Sequence, residues 1–140
     1  MQYQLTEQQE MIRRGVQEIV KSKVVPRAAE IDETDEFPWD IFRVFRDADL
    51  LGLAIPPEYG GVGADKLTFC LVTEEIAKAS LACAAIVTGQ ELGSSPIMVA
   101  GNEEQKRAYL PRVASGECIV AFALTEPEAG SDTAAIQTRA

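Results

Sequence analysis

The sequence predicts a mostly α fold: an up-and-down domain of five to six helices that gives way, from Cys118 onward, to the first strand or strands of a β domain. Helix-opening caps followed by apolar residues at helical spacing recur as far as Glu117. An apolar run, Ile119 to Leu124, then stops abruptly at a turn holding Thr125, Glu126, Pro127, Gly130, Ser131 and Asp132. One or two strands do not make a stable sheet alone, so residues 118–140 are expected to be the incomplete beginning of a second domain, and the chain a truncated one.

Taken in order, Thr6 and Gln9 form a capping box that opens a helix with Ile12, Val16, Ile19 and Val20 on one side. Pro26 is expected to kink or interrupt it, with a helical turn continuing through Ile31. Pro38 fits the first position of a second helix that turns Ile41, Phe42, Phe45 and Ala48 inward and is stopped by Gly52. Leu53 to Asp65, with Pro56-Pro57, Gly60, Gly61 and Gly63, reads as a loop. A third helix spans about Lys66 to Ala79, and Ser80 caps a fourth. Alanine on most faces of that fourth helix implies close packing on several sides; Gly93 and Pro96 are expected to break it before an apolar turn, Ile97 to Ala100. Asn102 and Gln105 cap a fifth helix, wound down by Pro111 and Gly116. No internal repeat or low-complexity tract interrupts the pattern.

A chain of 140 residues buries roughly two-thirds of its unfolded surface, enough for one core. Its formal net charge of −9, spread along the chain, argues against nucleic acid and anionic membrane as partners. Cys70, Cys83 and Cys118 are odd in number and unpaired in sequence, which disfavours a zinc site or a disulfide framework and suits small buried hydrophobes in a reducing compartment. The absence of histidine removes Ser-His-Asp triads, Cys-His dyads and His-based metal sites, and no metal is expected. Met1 to Gln4 lead straight into a helix start, without a leader pattern, and no apolar stretch is long enough to span a bilayer. A cytoplasmic protein without membrane insertion is the expectation.

The segment Phe122 to Asp132 is the most informative one. A strand that ends in a loop of hydroxyls and free backbone N–H groups suits recognition of a polar cofactor or a thioester. Taken alone, it reads equally as a hairpin turn with an Asx-type bond at Asp132. Glu126 and Glu128 read as solvated turn carboxylates rather than an acid/base pair, and Trp39 as a core residue. Glu74-Glu75 read as one solvated carboxylate and one helix-anchoring ion pair. The Gly60-Gly61-x-Gly63 loop lacks the Gly-Lys-Ser/Thr ending and preceding strand of a phosphate loop, so a structural turn is favoured.

A helical domain followed by Phe-Ala-Leu-Thr-Glu-Pro-Glu-Ala-Gly-Ser-Asp resembles the acyl-CoA dehydrogenase family, and further segments agree with it in order. Ile55-Pro56-Pro57-Glu58-Tyr59-Gly60-Gly61-Val62-Gly63 is similar to the loop between the family's second and third helices, and Glu74-Glu75-Ile76-Ala77 to its third-helix signature. Leu92-Gly93 with Pro96-Ile97, Gly101 to Lys106, and Tyr109-Leu110-Pro111 is similar to the run before the first strand. The resemblance implies that residues 1–117 are the N-terminal helical domain and 118–140 the beginning of a middle, β-barrel-like domain.

It also implies the reaction, α,β-dehydrogenation of an acyl-CoA with hydride transfer to FAD, and an electron-transfer flavoprotein as acceptor. Members commonly form homo-tetramers. Their base is a glutamate of a C-terminal bundle, so no carboxylate here is assigned as catalytic. By the same resemblance Phe122, Leu124 and Thr125 would lie along the flavin, and Gly130 would permit close approach or a positive φ. Ser131 would contact the CoA thioester arm, the flavin pyrophosphate region, or both. Thr88, Gly89 and Leu92 would line the far end of the acyl pocket, with core packing as the alternative for each. From Ala79 to Ala100 there is no Lys or Arg to pair with a second substrate carboxylate, which favours a monocarboxylic acyl chain. An oxidase of the same fold, or a non-enzymatic helical interaction module, is the alternative reading.

Overall fold

The computed structural model describes residues 4–139. Among them stand six α-helices: α1 (Glu7–Ile19), α2 (Ala28–Thr34), α3 (Trp39–Asp47), α4 (Lys66–Ala77), α5 (Leu81–Ala100) and α6 (Glu103–Ala114). The starts are where the caps put them. Thr6 Oγ1 accepts the Gln9 N–H at 3.2 Å while Gln9 Oε1 accepts the Thr6 N–H at 3.0 Å. Asn102 and Gln105 repeat the box at α6, both bonds at 2.9 Å. Asp65 caps α4 through the Thr68 N–H at 2.7 Å and accepts from Gln9 Nε2 at 3.3 Å, so the first turns of α1 and α4 are tied together.

Pro26 interrupts α1 without ending the helical path. The chain passes through a π turn (Val20–Val24), where the Val25 N–H reaches back to the Val20 carbonyl, and a 3-10 turn (Val25–Arg27) before α2. Widening and then tightening the coil accommodates the N–H that proline lacks.

The main core joins Val16 and Val20, Ile41, Phe42 and Phe45 of α3, Val72 and Ile76 of α4, and Cys83, Ala84 and Val87 of α5. A smaller cluster holds Ile55 and Tyr59 of the loop against Leu110, Val113 and Ala114 of α6, with Cys118 and Val120 packed on it. That second cluster positions the site, because it fixes where the chain leaves α6.

Several expectations are corrected. Pro38 is the residue before α3, not its first helical position. Helix α3 ends at Asp47, and Asp49 (φ 58°) turns the chain, so Gly52 stops nothing. Gly52 serves close approach instead: a Cβ there would lie 2.9 Å from the Ala114 Cβ. Helix α4 ends at Ala77 rather than Ala79.

Gly93 and Pro96 do not break α5, which runs through both. The buried stripe Cys83, Val87, Gln90 and Ser94 holds the helix in place. Pro96 withdraws a partner only from the carbonyl of half-exposed Leu92. Pro111 lies inside α6 for the same reason, since Leu110 and Val113 beside it are fully buried; Gly116 (φ 68°) makes the stop. Trp39 is not a core residue: it is 54% exposed, packed at the surface against the tilted ring of Phe37 with centroids 4.6 Å apart. Cys70 is exposed as well, so only Cys83 is a buried thiol.

After Cys118 the chain runs without helix or turn from Ile119 to Thr125 and then through a turn and a 3-10 turn (Thr133–Ala135), and no strand forms among the described residues; the one β-type pairing is an isolated antiparallel bridge, Glu126 with Ala129. A strand needs a neighbour to bond with, and the helices offer none. No helix among the described residues is long and apolar enough to cross a membrane.

Candidate functional site

The extended segment is held to the helical domain at its start. The Cys118 N–H donates to the Arg112 carbonyl at 3.1 Å. Gln90, 1% exposed, reaches from α5: its Nε2 donates to the Cys118 carbonyl at 3.1 Å and the Val113 carbonyl at 3.4 Å, and its Oε1 accepts the Val120 N–H at 2.9 Å. One turn further along α5, Gly93 leaves the space in which Val120 sits; a Cβ there would meet Val120 Cγ2 at 2.8 Å.

Beyond Val120 the backbone is free. Among the described residues no main-chain bond is made from Ala121 to Thr125. The side chains of Phe122 and Leu124 are 42% and 41% exposed. Ala121, Ala123 and Thr125 between and beside them are exposed as well. The result is an exposed ledge with apolar side chains and unspent N–H and C=O groups.

The ledge ends in a closed loop. The Glu126 N–H donates to the Ala129 carbonyl at 3.0 Å and the Ala129 N–H returns to Glu126 at 3.1 Å, around Pro127-Glu128. Asp132 Oδ1 accepts the Ala134 N–H at 3.2 Å, the Asx-type bond anticipated from sequence. Glu126 itself is not a solvated turn carboxylate. It is partly buried and accepts from the Thr138 hydroxyl, from the Gln137 N–H at 2.8 Å and from the Thr138 N–H at 2.9 Å. Those bonds, the Thr138 hydroxyl foremost, hold its carboxyl below the usual range. Glu128 is exposed, as expected.

Thr125, Gly130 and Ser131 all lie exposed on this ledge and loop. Gly130 does not take a positive φ, and a Cβ there would meet no atom within 4 Å. Thr88 is half-buried, and its hydroxyl donates to the Ala84 carbonyl at 3.1 Å, inside its own helix. Leu92 is 50% exposed on the surface of α5. Gly89 borders an open apolar groove of about 470 Å³, walled by Phe37 and Phe42 on one side, Ala85 and Ile86 on the other, and Ile119 and Val120 at its end. The structure thus brings Gly89 beside the root of the ledge, but not Thr88 or Leu92. Asp32, Asp35 and Glu36 rim the groove and no Lys or Arg lines it.

Beside this region Glu91 pairs with Lys66 at 2.6 Å and accepts from Ser95 at 3.0 Å, and the Lys66 bond holds its carboxyl below the usual range. On the far side of α4, Glu74 is exposed while Glu75 is 8% exposed and pairs with Lys78 at 3.0 Å, the division the sequence suggested. No group of three His, Cys, Asp or Glu among the described residues could hold a metal ion.

The sequence alone does not single out Gln90, and it gives Glu126 no partner. A signal for Gln90 existed: it is the lone large polar residue on the stripe Cys83, Val87, Gln90, Ser94, where a buried amide implies a backbone partner. Nothing local marks Glu126, whose partners lie eleven and twelve residues on.

Comparison with known proteins agrees over the whole segment. The family model for the acyl-CoA dehydrogenase N-terminal domain matches residues 6–117. A Bacillus subtilis relative named "Probable acyl-CoA dehydrogenase YngJ" is 41% identical over 100% of this chain and 37% of its own length. An acyl-CoA dehydrogenase of Bacillus anthracis, solved in complex with FAD, superposes with a TM-score of 0.84 at 34% identity, over 94% of this chain and 23% of that one. A chain solved in work on the electron transferring flavoprotein of Acidaminococcus fermentans superposes at 0.90 and 35% identity, over 98% and 36%. The chain therefore spans little more than a third of the length of the curated relatives it matches.

Proposed function

The chain belongs to the acyl-CoA dehydrogenase family, as its N-terminal domain, and from that premise we propose that it forms one wall of an FAD and acyl-CoA thioester site in a longer dehydrogenase. The observation that carries the reading is the ledge itself, rigidly rooted by Gln90 yet left with free main-chain groups from Ala121 to Thr125. Such a ledge fits a flat ring that needs apolar contact on its face and hydrogen bonds at its edge. When bound, FAD supplies the acceptor for the hydrogen that leaves the acyl β carbon as hydride.

In this reading Phe122 and Leu124 give apolar cover, and Thr125 offers its N–H and hydroxyl to the ring edge. Gly130 leaves the loop open to close approach, its absent Cβ facing free space. Ser131 donates to the thioester arm, the pyrophosphate region, or both. Gly89 borders the acyl end, with Thr88 and Leu92 bounding it once the remainder of the fold is in place. The acidic rim of the groove and its lack of Lys or Arg support a monocarboxylic acyl chain, since a second carboxylate would face like charge. The proton at the acyl α carbon goes to a carboxylate supplied by the later bundle. Residues 118–140 serve as the beginning of the middle β domain, supplying its first strand or strands once neighbouring strands pair with them. The longer protein is read as a cytoplasmic homo-oligomer, tetrameric by resemblance, that passes electrons to an electron-transfer flavoprotein.

The full-length protein tests this. It should purify with a flavin spectrum that bleaches on adding a saturated acyl-CoA without oxygen; neither flavin nor acyl-CoA-dependent bleaching would overturn the reading. Ser131→Ala removes one hydrogen bond, about 1 kcal/mol, and should weaken FAD retention or kcat/KM about fivefold. Unchanged values would remove Ser131 from the site. Rapid oxygen consumption during turnover would point instead to an oxidase of the same fold.

A further inference from the structure

We propose that Gln90 is a positioning residue: from α5 it fixes the root of the ledge, and through it the spacing between the Phe122–Ser131 wall and the α5 face that carries Gly89. The inference rests on the reading of that wall as a flavin and thioester face. Gln90 is the one large polar side chain in the buried stripe of α5, where replacing it by an aliphatic one would strip three main-chain groups of their partner. Its amide is satisfied by main-chain groups of α6 and of the segment that follows it: the Val113 and Cys118 carbonyls and the Val120 N–H. Gly93 admits the same segment from the next turn, since a Cβ there would lie 2.9 Å from the Val120 carbonyl carbon. Past Val120 the backbone makes no bond among the described residues until Glu126. Between the anchor on α5 and the clasp of the loop, no other main-chain hydrogen bond among the described residues sets the direction of the ledge.

Gln90 and Gly93 should therefore act on one observable, the placement of the ledge, from two residues that share only Val120. The test uses full-length protein carrying Gln90→Leu or Gly93→Ala. Val87→Ala serves as the control, because Val87 lies in the same stripe, 1% exposed, and holds no part of the ledge. Thermal stability, the FAD dissociation constant, and kcat and KM for one saturated acyl-CoA at saturating FAD are measured on each.

Gln90→Leu and Gly93→Ala should each raise the FAD dissociation constant about tenfold and lower kcat more than they change KM. Val87→Ala should lower thermal stability alone. Wild-type FAD affinity and kcat in Gln90→Leu and Gly93→Ala would overturn the proposal, as would an equal effect from Val87→Ala. If Gln90→Leu does not fold, Gln90→Asn, one methylene too short to span its three partners, takes its place with the same expected direction. A wild-type protein without flavin or activity would instead overturn the underlying functional reading, and this proposal with it.

Discussion

Glu126 shows how one side chain can close a loop whose ends are far apart in sequence. Its carboxylate gathers the Thr138 hydroxyl and the Gln137 and Thr138 N–H groups, and they favour its charged form. Because the folded pKa is depressed, this contribution is fully present above the carboxylate's unfolded value and is lost as pH falls through the folded one. The Gln137 and Thr138 amides should therefore be protected relative to their intrinsic exchange near neutrality and lose that protection in acid. Glu126→Gln should lack it at every pH, and a protection profile identical to wild type would remove the clasp. Ser80 offers a plainer case: 9% exposed, its hydroxyl accepts the Cys83 N–H at 3.2 Å to open α5. Ser80→Ala should cost about 1 kcal/mol in a denaturant titration. The cap was legible in the sequence because cap and bonded N–H are three residues apart. The Glu126 clasp was not, because its geometry depends on an entire turn.

At the scale of elements, the starts of helices that carry a capping side chain were legible, that of α3 was one residue off, and several of the ends were not. A capping side chain bonds within its own turn, so Thr6, Asp65, Ser80 and Asn102 act locally. A helix end depends on whether packing outweighs an unfavourable residue. Gly93, Pro96 and Pro111 are weak formers, yet α5 and α6 continue through them because buried residues flank Gly93 and Pro111, and partly buried Ile97 and Met98 pack just beyond Pro96. Gly15 tests the opposite case, an exposed glycine in α1 where an added Cβ would meet nothing within 4 Å. Gly15→Ala should raise stability by roughly 0.5–1 kcal/mol, read as a higher Tm. The extended segment makes its own prediction. Among residues 119 to 125, the Val120 amide should be the slow one to exchange, since it alone has a partner, Gln90 Oε1 at 2.9 Å. Uniform exchange across the segment would contradict the anchor.

Over the whole molecule, the helical domain is complete in its core while the proposed site is one-sided. Residues 1–140 expressed alone should retain little or no FAD, because a ledge with no opposite wall leaves most of a ligand's surface in water. Tight flavin binding by that piece would place the site wholly within it. Sequence by itself determined the helical class, the caps, the order of the motifs and the family they resemble, because each rests on residues a turn or a short loop apart. Tertiary structure alone decided that α5 runs unbroken, that Trp39 is exposed, that no strand forms after Cys118 among the described residues, and that Gln90 roots that segment. Those outcomes turn on which distant groups meet: a buried amide needs its backbone partner and a strand needs its neighbour, and neither is written within one segment.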